Sequence, residues 1–269
     1  MNVAAYLERI GFGGATRPDL ATLAALHRAH LLAVPYENLD VQLGRPVTTG
    51  LAAIFDKMVT NRRGGWCYEM NGLFGWALGQ LGFKVMRSAG AVMREASGDM
   101  SIGNHLVLKV ELEEGIYLAD VGFGDGPIDP IRVAPGVFDS HGFDFALSRQ
   151  DGGWWRLHSH KGAGAPSFDF NLVEADEALL ARKCDWLQIS QESVFVQNAI
   201  CQRHTAMGIS VLRGRVLRHL TPDGHKDRVL ADADEYVTAL DEVFGLKLPE
   251  AASLWPKICA RHEMLFPAK

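Results

Sequence analysis

Apolar positions recur every three or four residues through the first part of the chain. After Arg17-Pro18-Asp19, the residues Leu20, Leu23, Leu26 and His27 share one helical face, with His30 one step further on the same side. A second helical period runs through Cys67, Met70, Phe74, Ala77, Leu78 and Leu81, and Gly82 is placed to cap its end. From Ser88 to about position 196 the pattern changes. Alternating runs at 105–112 and 116–121, set apart by Gly, Asp and Pro clusters, predict antiparallel strands. Further on, 208–217 reads as a strand and 234–244 as a helix stopped by Gly245. The patterning divides the chain into three pieces: a helical 1–85, a β-rich 86–196 and a mixed α/β cap over 197–269. No internal repeat or low-complexity segment interrupts it.

Composition narrows the possible functions. With 48% hydrophobic residues in 269, the chain can bury one or two substantial cores. A net charge of -5, with no basic run longer than Arg62-Arg63, argues against nucleic acid as a partner. The opening MNVAAYLERIGFGG is broken by Glu8 and Arg9, so it lacks a secretory apolar core, and no apolar stretch is long enough to span a membrane. A cytoplasmic protein with no membrane partner is expected. Cys67, Cys184, Cys201 and Cys259 stand far apart with no CxxC pair, which predicts free thiols rather than disulfides or a zinc knuckle. His158 and His160 share one strand face but find no third ligand nearby, so no metal site is expected.

One of those thiols stands in unusual company. In RRGGWCYEMN, residues 62–71, Cys67 falls in the first turn of the predicted helix. Unpaired backbone N–H groups and the positive end of the helix dipole favour a thiolate there and could hold an oxyanion. Gly64-Gly65 would let a substrate approach the sulfur closely. Gly72, Gly75 and Gly79 each cost the helix about 1 kcal/mol relative to alanine, which implies a closely packed neighbour. A cysteine taken alone is more often a small buried apolar residue than a nucleophile. A base with its own orienting acid changes that reading.

Candidates for both stand in GNHLVLKVELEEGIYLADVGFG. His105 begins one predicted strand and Asp120 closes the next, in apolar surroundings where an unpaired carboxylate would be costly. A four-residue loop over 111–114 would pair Val110 with Gly115, and therefore His105 directly with Asp120 on one face. A two-residue turn at Glu114-Gly115 would instead place Asp120 opposite Lys109. The first register, or a bulge equivalent to it, is the expectation. The following Gly122-Phe123-Gly124-Asp125-Gly126 could offer N–H groups to a phosphate, although such a run is more often an ordinary turn.

The blocks VPYENLD at 34–40, RRGGWCYEMNGLF at 62–74, HLVLKV at 105–110 and YLADVGFG at 117–124 resemble the arylamine N-acetyltransferase family, in family order. The resemblance implies an α+β fold with an N-terminal helical bundle, a central antiparallel β-barrel-like domain and a C-terminal α/β lid, around a cysteine-protease or transglutaminase-like core. It implies a catalytic triad of Cys67, His105 and Asp120. It further implies acetyl-CoA as co-substrate with no separate cofactor, and an aromatic amine, hydrazine or hydroxylamine as acceptor in a ping-pong reaction. Tyr36 stands where the family has phenylalanine in an aromatic-substrate pocket and adds a hydroxyl there, and Gly126 falls in the loop near the CoA cleft. The same Cys, His, Asp order would equally serve a cysteine hydrolase or transglutaminase-like enzyme. An amide synthase using a carrier-bound acyl chain is a further relative, and a non-catalytic binding module the remaining alternative.

Overall fold

The structure, a computed structural model, describes residues 1–266, so the last three positions of the third sequence piece lie outside it. Asp19 accepts the Thr22 N–H at 2.8 Å and so starts the helix Leu20–Ala33, as the sequence pattern predicts. Its Leu23 and Leu26 pack with Tyr6, Met70 and Phe74 in the largest apolar core, which also takes in Leu106 and Leu108. The helix Cys67–Gln80 therefore lies between other helices and a sheet, and Leu108 would meet a Cβ on Gly75 at 3.0 Å.

Eight strands between Lys84 and Phe170 form one antiparallel sheet, curled as a half-barrel. At its centre Lys84–Val92 pairs with His105–Leu112 on one side and with Ser167–Phe170 on the other. The β-rich stretch is not strand throughout. Residues Glu177–Ile189 form a helix capped by Asp176, and its buried Leu180, Cys184 and Leu187 join the helical core. Their spacing of four and then three residues is a helical signal that the neighbouring strand patterns mask.

A second sheet has five strands in the order Tyr36–Glu37, Ile200–Thr205, Gly208–Arg213, Val216–Thr221 and Gly224–Val229. The expected strand over 208–217 is thus two strands of a hairpin, because Gly214 takes φ +57° and turns the chain. Tyr36, far upstream, pairs with Gln202 and bridges to Gly65, which ties this sheet to the start of the Cys67 helix. The helix Ala233–Phe244, ended by Gly245 at φ +70°, buries Tyr236, Leu240 and Phe244 on a separate core with Cys201, Leu212 and Leu217. Among the described residues, no helix is long and apolar enough to cross a membrane.

Candidate active site

The start of the Cys67 helix is set by charge. Glu69 accepts the Trp66 N–H at 3.2 Å, satisfying a backbone donor that the helix itself leaves open. The Glu69 carboxylate meets Lys57 Nζ at 2.9 and 3.0 Å, and Lys57 also lies 2.8 Å from Asp40. Arg63 closes the cluster on Glu37 at 2.7 Å and on Asp40 at 3.2 Å. Three carboxylates thus surround Lys57 and Arg63, with Arg45 a further cation 3.7 Å from Asp40. Burial pushes Glu69 up to about 7 although Lys57 opposes it, and the Glu37 charge adds to the rise.

Gly64-Gly65 has a different role from the one expected of it. A Cβ on Gly64 would lie 2.1 Å from the Pro35 carbonyl oxygen, and one on Gly65 would lie 2.8 Å from Glu69 Cβ. The two glycines admit the protein's own backbone and its capping glutamate rather than a substrate.

Asn71 stands one turn beyond Cys67 and reaches across to the sheet. Its Nδ2 donates to Asp120 Oδ1 and to the Leu106 carbonyl, both at 2.6 Å, while its Oδ1 accepts the Val121 N–H at 2.9 Å. Asp120 Oδ1 also accepts the Gly122 N–H at 2.8 Å, and Oδ2 lies 2.6 Å from His105 Nε2. Burial opposes the Asp120 charge, but His105, Asn71 and the Gly122 N–H outweigh it and hold the carboxyl below its usual range. His105 and Asp120 are both buried. Phe168 and Phe123 stand over the imidazole with ring centroids 5.0 and 5.7 Å away.

The two residues meet by a register other than the expected one. The hairpin turns tightly at Glu113-Glu114, pairing Leu112 with Gly115 and Lys109 with Leu118, without a bulge. Extending that register sets Val107 opposite Asp120 and Gly122 opposite His105, so the pair is diagonal on one face rather than directly opposed. Regular pairing stops at Leu118, and Asn71 and Gly122 then hold the Asp120 carboxylate.

Cys67 sits beside the start of the His105 strand, with Sγ 4.0 Å from the Asn104 carbonyl oxygen. Burial pushes its thiol well above the ordinary range, with the Asp120 charge adding to the effect, while the Leu106 and Tyr68 N–H groups offset only part. The helix start alone therefore does not produce the expected resting thiolate, because desolvation of the sulfur exceeds the pull of those donors. The glycine-rich loop lies against this helix start, for a Cβ on Gly122 would sit 2.8 Å from Cys67 Cα.

Tyr36 is buried near this centre, where desolvation first, with nearby carboxylates such as Asp125 adding, raises its hydroxyl well above the ordinary tyrosine range. Gly126 does not line the large cavity and faces Phe123 instead, whose Cβ would lie 3.3 Å from a methyl group at this glycine. That cavity, of about 730 Å³, is walled by Asp125 and Gly164 on one side and by Arg213, Arg215, Lys257 and Arg261 elsewhere. The loop expected to cradle a phosphate thus presents a carboxylate, Asp125, which accepts the Gly164 N–H at 2.6 Å. The cations that suit a phosphate come from the C-terminal part of the chain. Cys67 and His105 do not line the cavity. Gln202 does, and its amide oxygen would lie only 2.0 Å from a Cβ on Gly124, which puts this side chain between cavity and glycine-rich loop.

His158 and His160 do not form a ligand pair, since the first bonds Ser148 and the second the Asp125 carbonyl. Sequence reasoning misses Asn71, Glu69, Glu37, Asp40, Lys57 and Arg63. Asn71 is visible in the sequence as a polar residue four positions after Cys67, on the same helix face.

A half-barrel sheet thus lies beside a buried thiol at a helix start and a His–Asp pair. A family model described as N-acetyltransferase matches residues 19–253, and this match gives the class. The chain is 43% identical to the arylamine N-acetyltransferase of Mycolicibacterium smegmatis over 189 residues, 64% of this chain and 69% of that one. It is 31% identical to the arylamine N-acetyltransferase of Escherichia coli (strain K12) over 253 residues, 91% and 89% of the two chains. The solved structure of Mycobacterium marinum arylamine N-acetyltransferase in complex with CoA superimposes with a TM-score of 0.86 at 31% identity, covering 97% of this chain and 98% of that one. The protein belongs to the arylamine N-acetyltransferase family.

Proposed function

We propose that the protein moves an acetyl group from acetyl-CoA to the nitrogen or oxygen of arylamines, arylhydrazines and arylhydroxylamines, through an acetyl-cysteine on Cys67. The observation that carries this reading is the buried 2.6 Å contact of His105 Nε2 with Asp120 Oδ2, next to the strand start that touches the Cys67 sulfur. With Nε2 committed to Asp120, Nδ1 is the nitrogen left for the chemistry. The thiol rests protonated. His105 Nδ1 takes its proton as the sulfur attacks the thioester carbon, the bond from that carbon to the CoA sulfur breaks, and the proton leaves on CoA. The acceptor nitrogen then attacks the acetyl carbon, His105 takes its proton, and that proton returns to the Cys67 sulfur as the acyl bond breaks. Asp120 stays charged throughout and stabilises the imidazolium. The Leu106 N–H and the Tyr68 N–H, the latter in the first helical turn, both act on the Cys67 sulfur and are the backbone donors at hand for a developing oxyanion.

The cavity supports the donor assignment. The M. marinum relative was solved with CoA. In this chain Arg213, Arg215, Arg218, Lys257 and Arg261 line a space suited to phosphates, and Gln202 stands between that space and the glycine-rich loop that packs on the Cys67 helix. Donor and acceptor visit in turn, so the kinetics are ping-pong, and no cofactor beyond the acetyl-CoA co-substrate takes part.

Mass spectrometry after incubation with acetyl-CoA alone tests the reading. One acetyl group on Cys67 and an equal amount of free CoA thiol are expected before any amine is added, with neither in Cys67→Ala. Release of CoA without an adduct, or intersecting initial-rate lines when both substrates vary, would overturn it. An adduct formed from carrier-bound acyl chains or amides but not from acetyl-CoA would favour the amide synthase or hydrolase instead.

A further inference from the structure

One buried imidazole has no part in the reaction just described. His27, on the helix Leu20–Ala33, is 1% exposed, and its Nδ1 lies 2.8 Å from the Ile128 carbonyl oxygen. A carbonyl can only accept, so Nδ1 carries the proton and Nε2 presents a lone pair. Among the described residues no protein group hydrogen-bonds that Nε2. Leaving such an acceptor buried and unmet costs about 1–3 kcal/mol.

Beside it lies a small, partly open recess of about 10 Å³, lined by His27, Asp120, Asp129, Phe123 and Phe168 among others. That volume suits a single water, which needs two or more polar partners, and suits no organic ligand. Asp120 is another wall of this space, and its main-chain oxygen acts on the imidazole without making a direct hydrogen bond to Nε2. We propose that one ordered water occupies this recess, donating to the buried His27 Nε2 and to the Asp120 main-chain oxygen, so that His27 acts as a positioning residue for the His105–Asp120 pair. The inference rests on the catalytic reading of Cys67, His105 and Asp120.

The place in the fold explains the need for such a device. Strand pairing ends at Leu118, with one further bond from the Ala119 N–H to the Leu108 carbonyl. From there the chain runs as an irregular loop to Ile128, and Asp120 stands at its first end. His27 holds the far end directly through Ile128 and the near end through the water. A single side chain on a rigid helix thereby clamps both ends of the glycine-rich loop. Electrostatics agree with the geometry, since burial drives His27 toward the neutral form whose Nε2 accepts, while its bond to Ile128 and the Asp120 charge oppose only part of that shift.

A high-resolution crystal structure of the whole protein reads the geometry. An ordered water within hydrogen-bond distance of both His27 Nε2 and the Asp120 main-chain oxygen is expected; an empty recess, or a water touching only one of them, overturns the proposal. Rapid-mixing acetylation of Cys67 reads the role. His27→Phe should slow the step about tenfold at saturating acetyl-CoA while leaving the half-saturating concentration unchanged, and His27→Gln, which can bond again, should recover most of the rate. Wild-type acetylation by a less heat-stable His27→Phe would reduce His27 to a packing residue and sink the positioning role. The crystallographic arm does not depend on acetyl transfer. A bridged water in a protein that never acetylates Cys67 would therefore refute the catalytic reading and leave the clamp standing.

Discussion

Asn71 Nδ2 lies 2.6 Å from Asp120 Oδ1, so the helix that presents Cys67 also grips the carboxylate on which His105 depends. Thiol and acid are registered to each other by one amide side chain rather than by the sheet. Replacing Asn71 with leucine strips Asp120, the Leu106 carbonyl and the Val121 N–H of a partner at once. Loss of about 2–4 kcal/mol in urea unfolding is expected. Asn71→Asp keeps the size but sets a second carboxylate against Asp120, and should lower the rate of CoA release at least about tenfold. Wild-type rates in Asn71→Asp would show that Asp120 is not held from this side.

The charge cluster makes stability depend on pH in an unusual direction. Glu69 is raised by burial to about 7 in the folded protein, whereas an unfolded glutamate titrates near its ordinary value of 4.5. Its contribution is fully present below the unfolded value and is lost as pH rises through the folded one, because the native state holds the extra proton. Stability from this group should fall between about pH 4.5 and 7. Thermal unfolding across that window should show a flatter profile in Glu69→Gln than in the unchanged protein. Equal slopes would mean that Glu69 does not hold the extra proton of the folded state.

Gly64 separates a structural from a substrate-access role. A methyl there would sit 2.1 Å from backbone oxygen, which cannot swing aside. Gly64→Ala should lower stability by about 3 kcal/mol or more and reduce soluble yield. A variant that melts normally but shows a raised KM would restore the access role expected from the sequence.

Tyr36 tests acceptor choice. Tyr36→Phe keeps the buried ring and removes only its hydroxyl, so it should alter stability by no more than about 0.5 kcal/mol. Acetylation of Cys67 by acetyl-CoA should stay within about twofold of wild type, while relative kcat/KM across a panel of substituted anilines changes. An unchanged panel would remove Tyr36 from the acceptor site.

The cavity cations address the donor. Lys257→Ala should raise KM for acetyl-CoA and weaken its salt dependence, leaving the acceptor KM in place, because exposed phosphate contacts are screened by added salt. Equal effects on both substrates would move the donor away from this cavity.

Much of the fold is legible in the sequence because its signals are local. Asp19 ahead of Leu20, and Gly245 after Phe244, terminate their helices through bonds and backbone angles confined to a few residues. Cys67 at a helix start and His105 at a strand start are visible for the same reason. The hairpin register is not, because the strand Gly115–Leu118 pairs on both sides, with His105–Leu112 and with Ile131–Arg132, and the second partner lies outside the hairpin. The helix Glu177–Ile189 hides among strands although its apolar spacing is helical.

By itself, then, the chain order of amino acids determined which side chains are the candidates for the chemistry and the ends of the elements that bear them, since caps, turns and apolar periods act over a few residues. Only the tertiary structure decided how those side chains meet. The diagonal approach of Asp120 to His105, the grip of Asn71, the joining of Glu37, Asp40 and Glu69 around Lys57, and the burial that pushes the Cys67 thiol up all arise between segments distant in sequence. Desolvation and charge pairing depend on what lies within a few ångströms in space, and that neighbourhood does not exist until the sheet curls over the helices.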